Sequence, residues 1–283
     1  MATIGIFHST IRADEKLIIA SAKKKGIKLK LIDIRNEIFD IKQYKPNFDL
    51  ALIRSVSTTK GMYAAYFLES LGVPVVNSFE VGKICEDKFL TSLVLFKSGV
   101  PTPKFALAFS FEEAKKAVNQ LGGFPIVVKP VLGSWGRLLA KINDIDSLEA
   151  VIEHKNVLGS PQQKIFYLQE YIPKPGRDIR SFVIGGRVIC AIYRYSSHWI
   201  TNTAQGGKAV NCPLTKDIKE ISELASKAIG GGILALDIFE TKDGLKVNEV
   251  NHTMEFKNSQ KPTKKDIASS ILDYCLEVIK KHD

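Results

Sequence analysis

The chain has 283 residues, 45% of them hydrophobic, enough to bury a large core divided among about two or three compact units. No apolar run approaches the roughly 20 residues a bilayer crossing needs, and MATIGIFHSTIR enters a strand-like segment with no cleavable-signal pattern, so a cytoplasmic protein without membrane association is expected. The net charge of +10, from 40 basic against 30 acidic residues, favours an acidic or phosphate-bearing partner.

Lysines cluster at 23–25, 115–116, 264–265 and 280–281, each of which reads more readily as a solvated helix face or end than as a docking patch. Aromatic residues are not interleaved with these clusters as stacking platforms would be, which argues against nucleic acid as the partner. Cys85, Cys190, Cys212 and Cys275 are scattered and form no C-x-x-C pair, so they are expected to be reduced thiols rather than zinc ligands or a disulfide framework.

In chain order, Thr3 to Phe7 reads as a strand, Asp14 to Lys25 as an amphipathic helix stopped by Gly26, and Lys28 to Ile34 as a second strand. A strand at Leu50 to Arg54, a helix at Met62 to Leu71 and a short strand at Val75-Val76 complete a first unit, residues 1–84, whose alternation predicts a parallel sheet with flanking helices. One helix is expected from Glu80 to Ser98, ended by Gly99 and the prolines at 101 and 103. A small lid-like α/β unit, 85–164, follows, with helix Phe111 to Leu121, strand Ile126 to Lys129, a glycine-bearing turn, strand Leu138 to Ile142 and helix Ile145 to His154. From Ile165 to the end, IFYLQEYI, DIRSFVIGGRVICAIYRY, LALDIFE and LKVNEVN predict a mainly antiparallel sheet with turns at Gly185-Gly186 and Asp243-Gly244, closed by a helix from Lys265 to Lys280.

Four stretches carry chemistry. Glu249 and Asn251 share a strand face by the period of two, and Asp237 lies on the preceding strand of the hairpin, so three oxygen ligands can meet in a set suited to Mg²⁺. A polar edge strand facing solvent is the bland alternative, but the apolar neighbours Leu234, Leu236, Ile238 and Val250 suggest a half-buried sheet, where carboxylates need a cation. In VVKPVLGSWGRLLAK, Lys129 ends an apolar strand, and Gly133 and Gly136 bracket Ser134 and Trp135; the loop is either a hairpin turn or a backbone cradle for phosphate. Lys88 in CEDKFLT is by default a surface lysine. Gln169, Glu170, Tyr171 and Ile172 end a strand that could offer backbone groups to an adenine edge and Glu170 to ribose hydroxyls; Arg177, Asp178 and Arg180 follow, and Arg194 and Asn202 add donors suited to phosphate oxygens.

Taken in this order, the residues resemble the ATP-grasp superfamily, in particular its RimK-like ligases, over most of the chain. The resemblance implies an α/β fold of three units: an N-terminal parallel domain, a central lid and a C-terminal, mainly antiparallel sheet domain. It implies that Lys88, Lys129, Gly133 to Gly136, Gln169 to Ile172 and Asp178 contact ATP, and that Asp237, Glu249 and Asn251 hold Mg²⁺. The segments VSTTKGMYAAYFLESLGV, VVNSFEVGKICEDKFLT, QEYIPKPGRDIRSFVIG and NEVNHTMEFK look closer still to ligases that attach an amino acid to the small acidic carrier protein LysW. Within that group, Asn258-Ser259 replaces the Gly-Phe typical of the α-aminoadipate enzymes and points to glutamate as substrate.

By the same resemblance, Arg180, Arg194 and Asn202 meet the acyl phosphate and the amino-acid carboxylates, Asn251, Thr253, Asn258 and Ser259 complete the amino-acid pocket, and a homo-oligomer is plausible. His8, His154, His198 and His252 receive no catalytic role. Two other readings are a RimK-type modifier of another protein's tail and a nucleotide-responsive binding module without turnover; the intact Asp237, Glu249 and Asn251 set argues against the second.

Overall fold

The computed structural model describes residues 2–133, 137–201 and 208–282. It begins with strand β1 (Thr3–His8), helix α1 (Ala13–Lys25), β2 (Lys28–Asp33), β3 (Leu50–Arg54), α2 (Thr58–Ser70) and β4 (Val75–Val76). These strands form a parallel sheet in the order β2-β1-β3-β4. In α1, Asp14 and Glu15 fill the first turn and Lys23 to Lys25 the last, matching the helix macrodipole, and Gly26 closes it at φ 69°. The second helix starts four residues before the expected Met62 because the Ser57 hydroxyl caps it by accepting from the Lys60 N–H.

The single helix expected over 80–98 is two: α3 (Phe79–Glu86) and α4 (Lys88–Lys97). The apolar pattern runs through the junction, but Asp87 leaves helical geometry and its carboxylate accepts from the N–H groups of Phe89 and Leu90 at 2.8 and 3.0 Å. This cap restarts the chain in a new direction and sets Lys88 at the first turn of α4.

The middle unit contains β5 (Phe105–Ala108), α5 (Phe111–Leu121), β6 (Ile126–Lys129), β7 (Ala140–Ile142), α6 (Ile145–Leu158) and β8 (Phe166–Glu170). Its antiparallel sheet has the order β5-β8-β6-β7. The strand from IFYLQEYI, expected at the start of the following sheet, therefore lies inside this one, between β5 and β6. Its pairing partners are distant in sequence, and local pattern carries no information about them.

The remaining strands, β9 (Arg177–Ile184), β10 (Arg187–Tyr195), β11 (Lys208–Cys212), β12 (Ile233–Thr241) and β13 (Gly244–Asn251), form an antiparallel sheet ordered β11-β10-β9-β12-β13. The β9–β10 turn uses Gly185 and Gly186 at φ 59° and 77°, the left-handed pair a tight hairpin requires. Helix α7 (Lys216–Ile229) covers one face, where Leu234, Leu236, Ile238, Val247 and Val250 pack with Ile218, Ile221 and Ala225. A short helix, α8 (Gln260–Thr263), precedes the last, α9 (Ile267–His282). On the opposite face, Phe182, Ile184, Ile233 and Ala235 share one core with Ile4, Ile6, Ile18 and Leu50 of the N-terminal unit and with Ile271 and Cys275 of α9. Among the described residues no helix is long and apolar enough to cross a membrane, and all four cysteines are buried and unpaired.

The Asp87 cap gives a direct test of the helix break. Asp87→Ala is expected to cost about 1 kcal/mol of stability, from the loss of two capped N–H groups, measured as a shift in the urea midpoint at constant slope. A change under about 0.3 kcal/mol would place the break elsewhere.

Candidate functional site

The polar end of the five-stranded sheet is built from residues directly opposite one another on adjacent strands. Arg194 of β10 faces Asp178 of β9, Arg180 of β9 faces Asp237 of β12, and Asp237 faces Glu249 of β13. Arg194 is 3% exposed and is gripped by Asp178 through two bonds, Nε to Oδ1 at 2.7 Å and Nη2 to Oδ2 at 2.6 Å. It also approaches Asp237 Oδ2 at 3.0 Å, while Arg180 donates to both oxygens of Asp237 at 2.7 and 2.9 Å. Burial pushes the Asp237 carboxyl up, but Arg180 and Arg194 outweigh it and hold the group at about 2. Asp237 is therefore ionised throughout the neutral range.

Glu249 and its neighbour Asn248 both reach the same cleft, although adjacent residues of a regular strand point to opposite faces. A β-bulge is the reason: Asp237 pairs with Glu249 but Ile238 pairs with Val247, leaving Asn248 without a partner. The bulge also returns both Val247 and Val250 to the core under α7. Lys129, at the end of β6 and 6% exposed, donates to Asn248 Oδ1 at 3.0 Å and to Gln169 Oε1 at 2.7 Å. Burial brings the Lys129 ammonium down to about 8, with Glu249 and Asp237 opposing the fall and Lys88 and Lys174 adding to it. Lys88 sits 3.7 Å from Glu249 and donates to the Gly133 carbonyl.

These side chains line a cleft of about 780 Å³, open to solvent, that brings together Lys88, Lys129, Gly133, Gln169, Glu170, Tyr171, Ile172, Asp178, Arg194, Asp237 and Glu249. Several are already engaged within the chain. Gln169 is buried and holds Lys129, and Glu170 Oε1 accepts from the Lys104 N–H at 2.8 Å and from Lys246 Nζ at 2.7 Å. Tyr171 lies under the Lys141 ammonium, 4.0 Å from the ring centroid. Asp178, expected beside the nucleotide, uses both oxygens on Arg194 and also accepts from the Thr201 hydroxyl, which in turn accepts from Lys174 Nζ at 2.9 Å.

A smaller cavity of about 280 Å³ lies beyond Arg194, which lines both spaces. Its other walls are Arg180, Ile192, Glu255, Lys257, Asn258 and Ser259. Asn251 and Thr253 line neither cavity; the Asn251 amide leans on the Ala235 carbonyl at 3.5 Å. Ser134, Trp135, Gly136 and Asn202 lie outside the described residues. Lys174, Asn248, Thr201 and Trp199 join the larger cleft without having been expected there. Lys174 carried the signal of a cation next to the GRDIR turn, whereas Asn248 reads as a residue of the wrong strand face until the bulge is known.

Among the described residues no group of three His, Cys, Asp or Glu side chains could hold a metal ion. Asp237 and Glu249 are nevertheless two opposed carboxylates, with Asn251 two residues beyond Glu249. Hard oxygens of this kind, beside lysines that can share a phosphate, fit Mg²⁺, which keeps waters and is completed by substrate oxygens.

A family model for the RimK-like ATP-grasp domain matches residues 85–275, and one for the LysX preATP-grasp domain matches residues 4–84. The chain belongs to the RimK-like ATP-grasp family. It is 35% identical to the α-aminoadipate–LysW ligase LysX of Saccharolobus solfataricus, over 95% of this chain and 99% of that one. It is 34% identical to the glutamate–LysW ligase ArgX of Sulfolobus acidocaldarius, over 96% of this chain and 97% of the relative. In fold it is similar to the crystal structure of a RimK domain ATP-grasp protein from Sphaerobacter thermophilus, with a TM-score of 0.82 and 24% identity, over 97% of this chain and 100% of that one. The mixed fold of one parallel and two antiparallel sheets is thus that of the ATP-grasp ligases.

In this cleft the buried Arg194–Asp178 pair is a structural demand. Asp178→Ala is expected to destabilise the protein by about 3–5 kcal/mol, because it strips a buried guanidinium of its bidentate partner. Denaturant unfolding measures this, and a loss below 1 kcal/mol would mean that Asp237 alone neutralises Arg194.

Proposed function

We propose that the protein is an ATP-dependent ligase that joins the α-amino group of glutamate to the side-chain carboxylate of the C-terminal glutamate of the acidic carrier protein LysW, in arginine biosynthesis. The names of its relatives support LysW as acceptor and divide between glutamate and α-aminoadipate as the amino acid. The observation that carries the reading is Arg194, one cation common to the larger cleft and the smaller cavity beside it. An acyl phosphate must form where those two spaces meet.

In the first step a carrier carboxylate oxygen attacks the γ-phosphorus of ATP, the bond to the bridging oxygen breaks and ADP leaves. In the second, the free amine of glutamate attacks the acyl carbon, phosphate departs with the bonding oxygen, and the nitrogen loses its proton. Lys88, Lys129 and Lys174 hold phosphate oxygens, and Arg194, with Arg180 behind it, faces the charge that grows on the transferred group. The Gln169 to Ile172 strand end borders the base and ribose. Asp237 and Glu249, with Asn251 on the same strand as Glu249, would hold Mg²⁺, which would supply neutralisation of the triphosphate. The reaction needs alignment and charge more than a protein nucleophile, which agrees with the half-buried His252 being held neutral, its imidazole brought down to about 4 by desolvation and by Arg54.

Asn258 and Ser259 favour glutamate, since polar side chains at the cavity wall can meet the distal carboxylate of the shorter substrate. One methylene is worth only about 1–3 kcal/mol by packing, so some turnover of α-aminoadipate is compatible with this assignment.

Two measurements test the reading. Incubating the chain with ATP, Mg²⁺, a LysW-type carrier and either amino acid should give a carrier mass increase that is larger with glutamate. Preference for α-aminoadipate would reverse the assignment of Asn258-Ser259, and no gain with either would overturn the LysW reading. The second concerns Lys129, whose charge is lost as pH rises through about 8. Triphosphate binding favours its charged form, so binding near pH 8 to 9 should take up protons and weaken as pH rises further. Calorimetry in buffers of different ionisation enthalpy measures the uptake; Lys129→Met should abolish it, and unchanged uptake would remove Lys129 from the phosphate site.

A further inference from the structure

The segment from His252 to Lys257, between β13 and the residues Asn258 and Ser259, has no regular structure, yet its backbone is held by buried side chains of the N-terminal unit. Asn77, after β4, donates its amide to the His252 carbonyl at 2.6 Å. Arg54, at the end of β3, donates Nη1 to the Met254 carbonyl at 3.0 Å. Asp14, in the first turn of α1, accepts at Oδ1 from the N–H groups of both Phe256 and Lys257, each at 2.7 Å. All three side chains are buried.

Two of the three have further bonds that fix their own position. Asn77 also brackets Ile233, accepting from its N–H at 2.7 Å and donating to its carbonyl at 2.8 Å. A Cβ on Gly232 would fall 2.2 Å from Asn77 Oδ1, so glycine is needed there for the approach. Arg54 is paired with the buried Glu15 at 2.9 Å, and Glu15 binds Arg12, whose Nη1 reaches Glu255 at 3.2 Å.

The side chains of the segment alternate. Met254 and Phe256 enter the core shared with β1, β3 and α1, while Glu255 and Lys257 line the smaller cavity beside Arg180 and Arg194. We propose that Asp14, Arg54 and Asn77 are positioning residues for amino-acid selection. They fix the backbone from which Glu255, Lys257, Asn258 and Ser259 meet the substrate, at a depth that separates side chains differing by one methylene. The inference rests on the ligase reading above and assigns the selecting geometry to the N-terminal unit, although none of the three residues reaches the cavity.

The test uses the full chain with Asp14→Ala and the near-isosteric Asp14→Asn, whose amide oxygen still accepts from both N–H groups. In Asp14→Ala the amides of Phe256 and Lys257 should exchange hydrogen much faster while β12 and β13 remain protected. The KM for the amino acid should rise roughly 10- to 100-fold, the scale expected for a misplacement of about 1 Å. The ratio of kcat/KM for glutamate over α-aminoadipate should shrink, the KM for ATP should stay within twofold, and Asp14→Asn should restore most of the wild-type behaviour. Faster amide exchange with unchanged amino-acid KM and selectivity would overturn the positioning role, as would equal increases in both KM values. Wild-type turnover in the same assay reports on the ligase reading separately: its absence with both amino acids overturns that reading and this inference, whereas its presence with unaltered variants overturns the inference alone.

Discussion

A guanidinium withdrawn from water has to be neutralised on the spot, and the arrangement around Arg194 follows from that requirement. Asp178 is directly across one strand pair and Asp237 comes within 3.0 Å from two strands away, so neutralisation crosses β10, β9 and β12. Arg180 then balances Asp237, and the register places Glu249 next in line. A slip of one residue in any of these strands would send its charged side chains to the α7 face, which is mainly apolar and carries no charged residue among its buried cluster. The charge ladder and the apolar face therefore specify the same register. An ion pair of this kind need not add net stability over a well-packed apolar replacement, and its chemical use at the junction of two cavities accounts for its presence.

Much of this was legible in the sequence because it is local. Alternation in DIRSFVI and LALDIFE places Asp178 and Arg180 on one face and separates Asp237 from Leu236, and the turn residues at Gly185-Gly186 and Gly244 fix the two hairpins. Of the oxygen pair at Glu249 and Asn251, Glu249 lines the cleft and Asn251 does not. What escaped was of three kinds. The bulge at Asn248 changes the face of a residue without leaving a mark in hydropathy. The membership of Phe166–Glu170 in the middle sheet depends on partners at Phe105 and Ile126, far away in sequence. The break at Asp87 was marked by a good capping residue, but a continuous apolar pattern on both sides concealed it.

The same locality explains which site residues changed meaning. Gln169 and Asp178 have the chemistry of ligand contacts and stand at the cleft, but each spends its bonding capacity on a cation of the chain, Lys129 and Arg194 respectively. The sequence reports which donors and acceptors are present, and only the fold reports which of them are already used. Lys129 shows the consequence. Burial depresses its ammonium, and its two amide partners, Gln169 and Asn248, satisfy hydrogen bonds without supplying charge, so Glu249 and Asp237 offset the fall only in part. A carboxylate in either place would have neutralised it in advance.

The segment 252–257 follows a related logic in reverse. A wall that must discriminate small polar substrates needs free side-chain groups, yet a segment without helix or strand has no internal ladder to hold it. Anchoring through backbone carbonyls and N–H groups meets both needs, because Asp14, Arg54 and Asn77 use no side-chain donor or acceptor of the wall, and only Glu255 is engaged from that unit, by Arg12. The anchors come from the N-terminal unit, whose helix α1 and strand β3 already share a core with Met254 and Phe256. Apolar burial on the even residues and hydrogen bonding at the backbone thus act in the same direction. Together they leave Glu255 and Lys257 facing the two arginines of the sheet, one wall built on the parallel unit and the other on the antiparallel one.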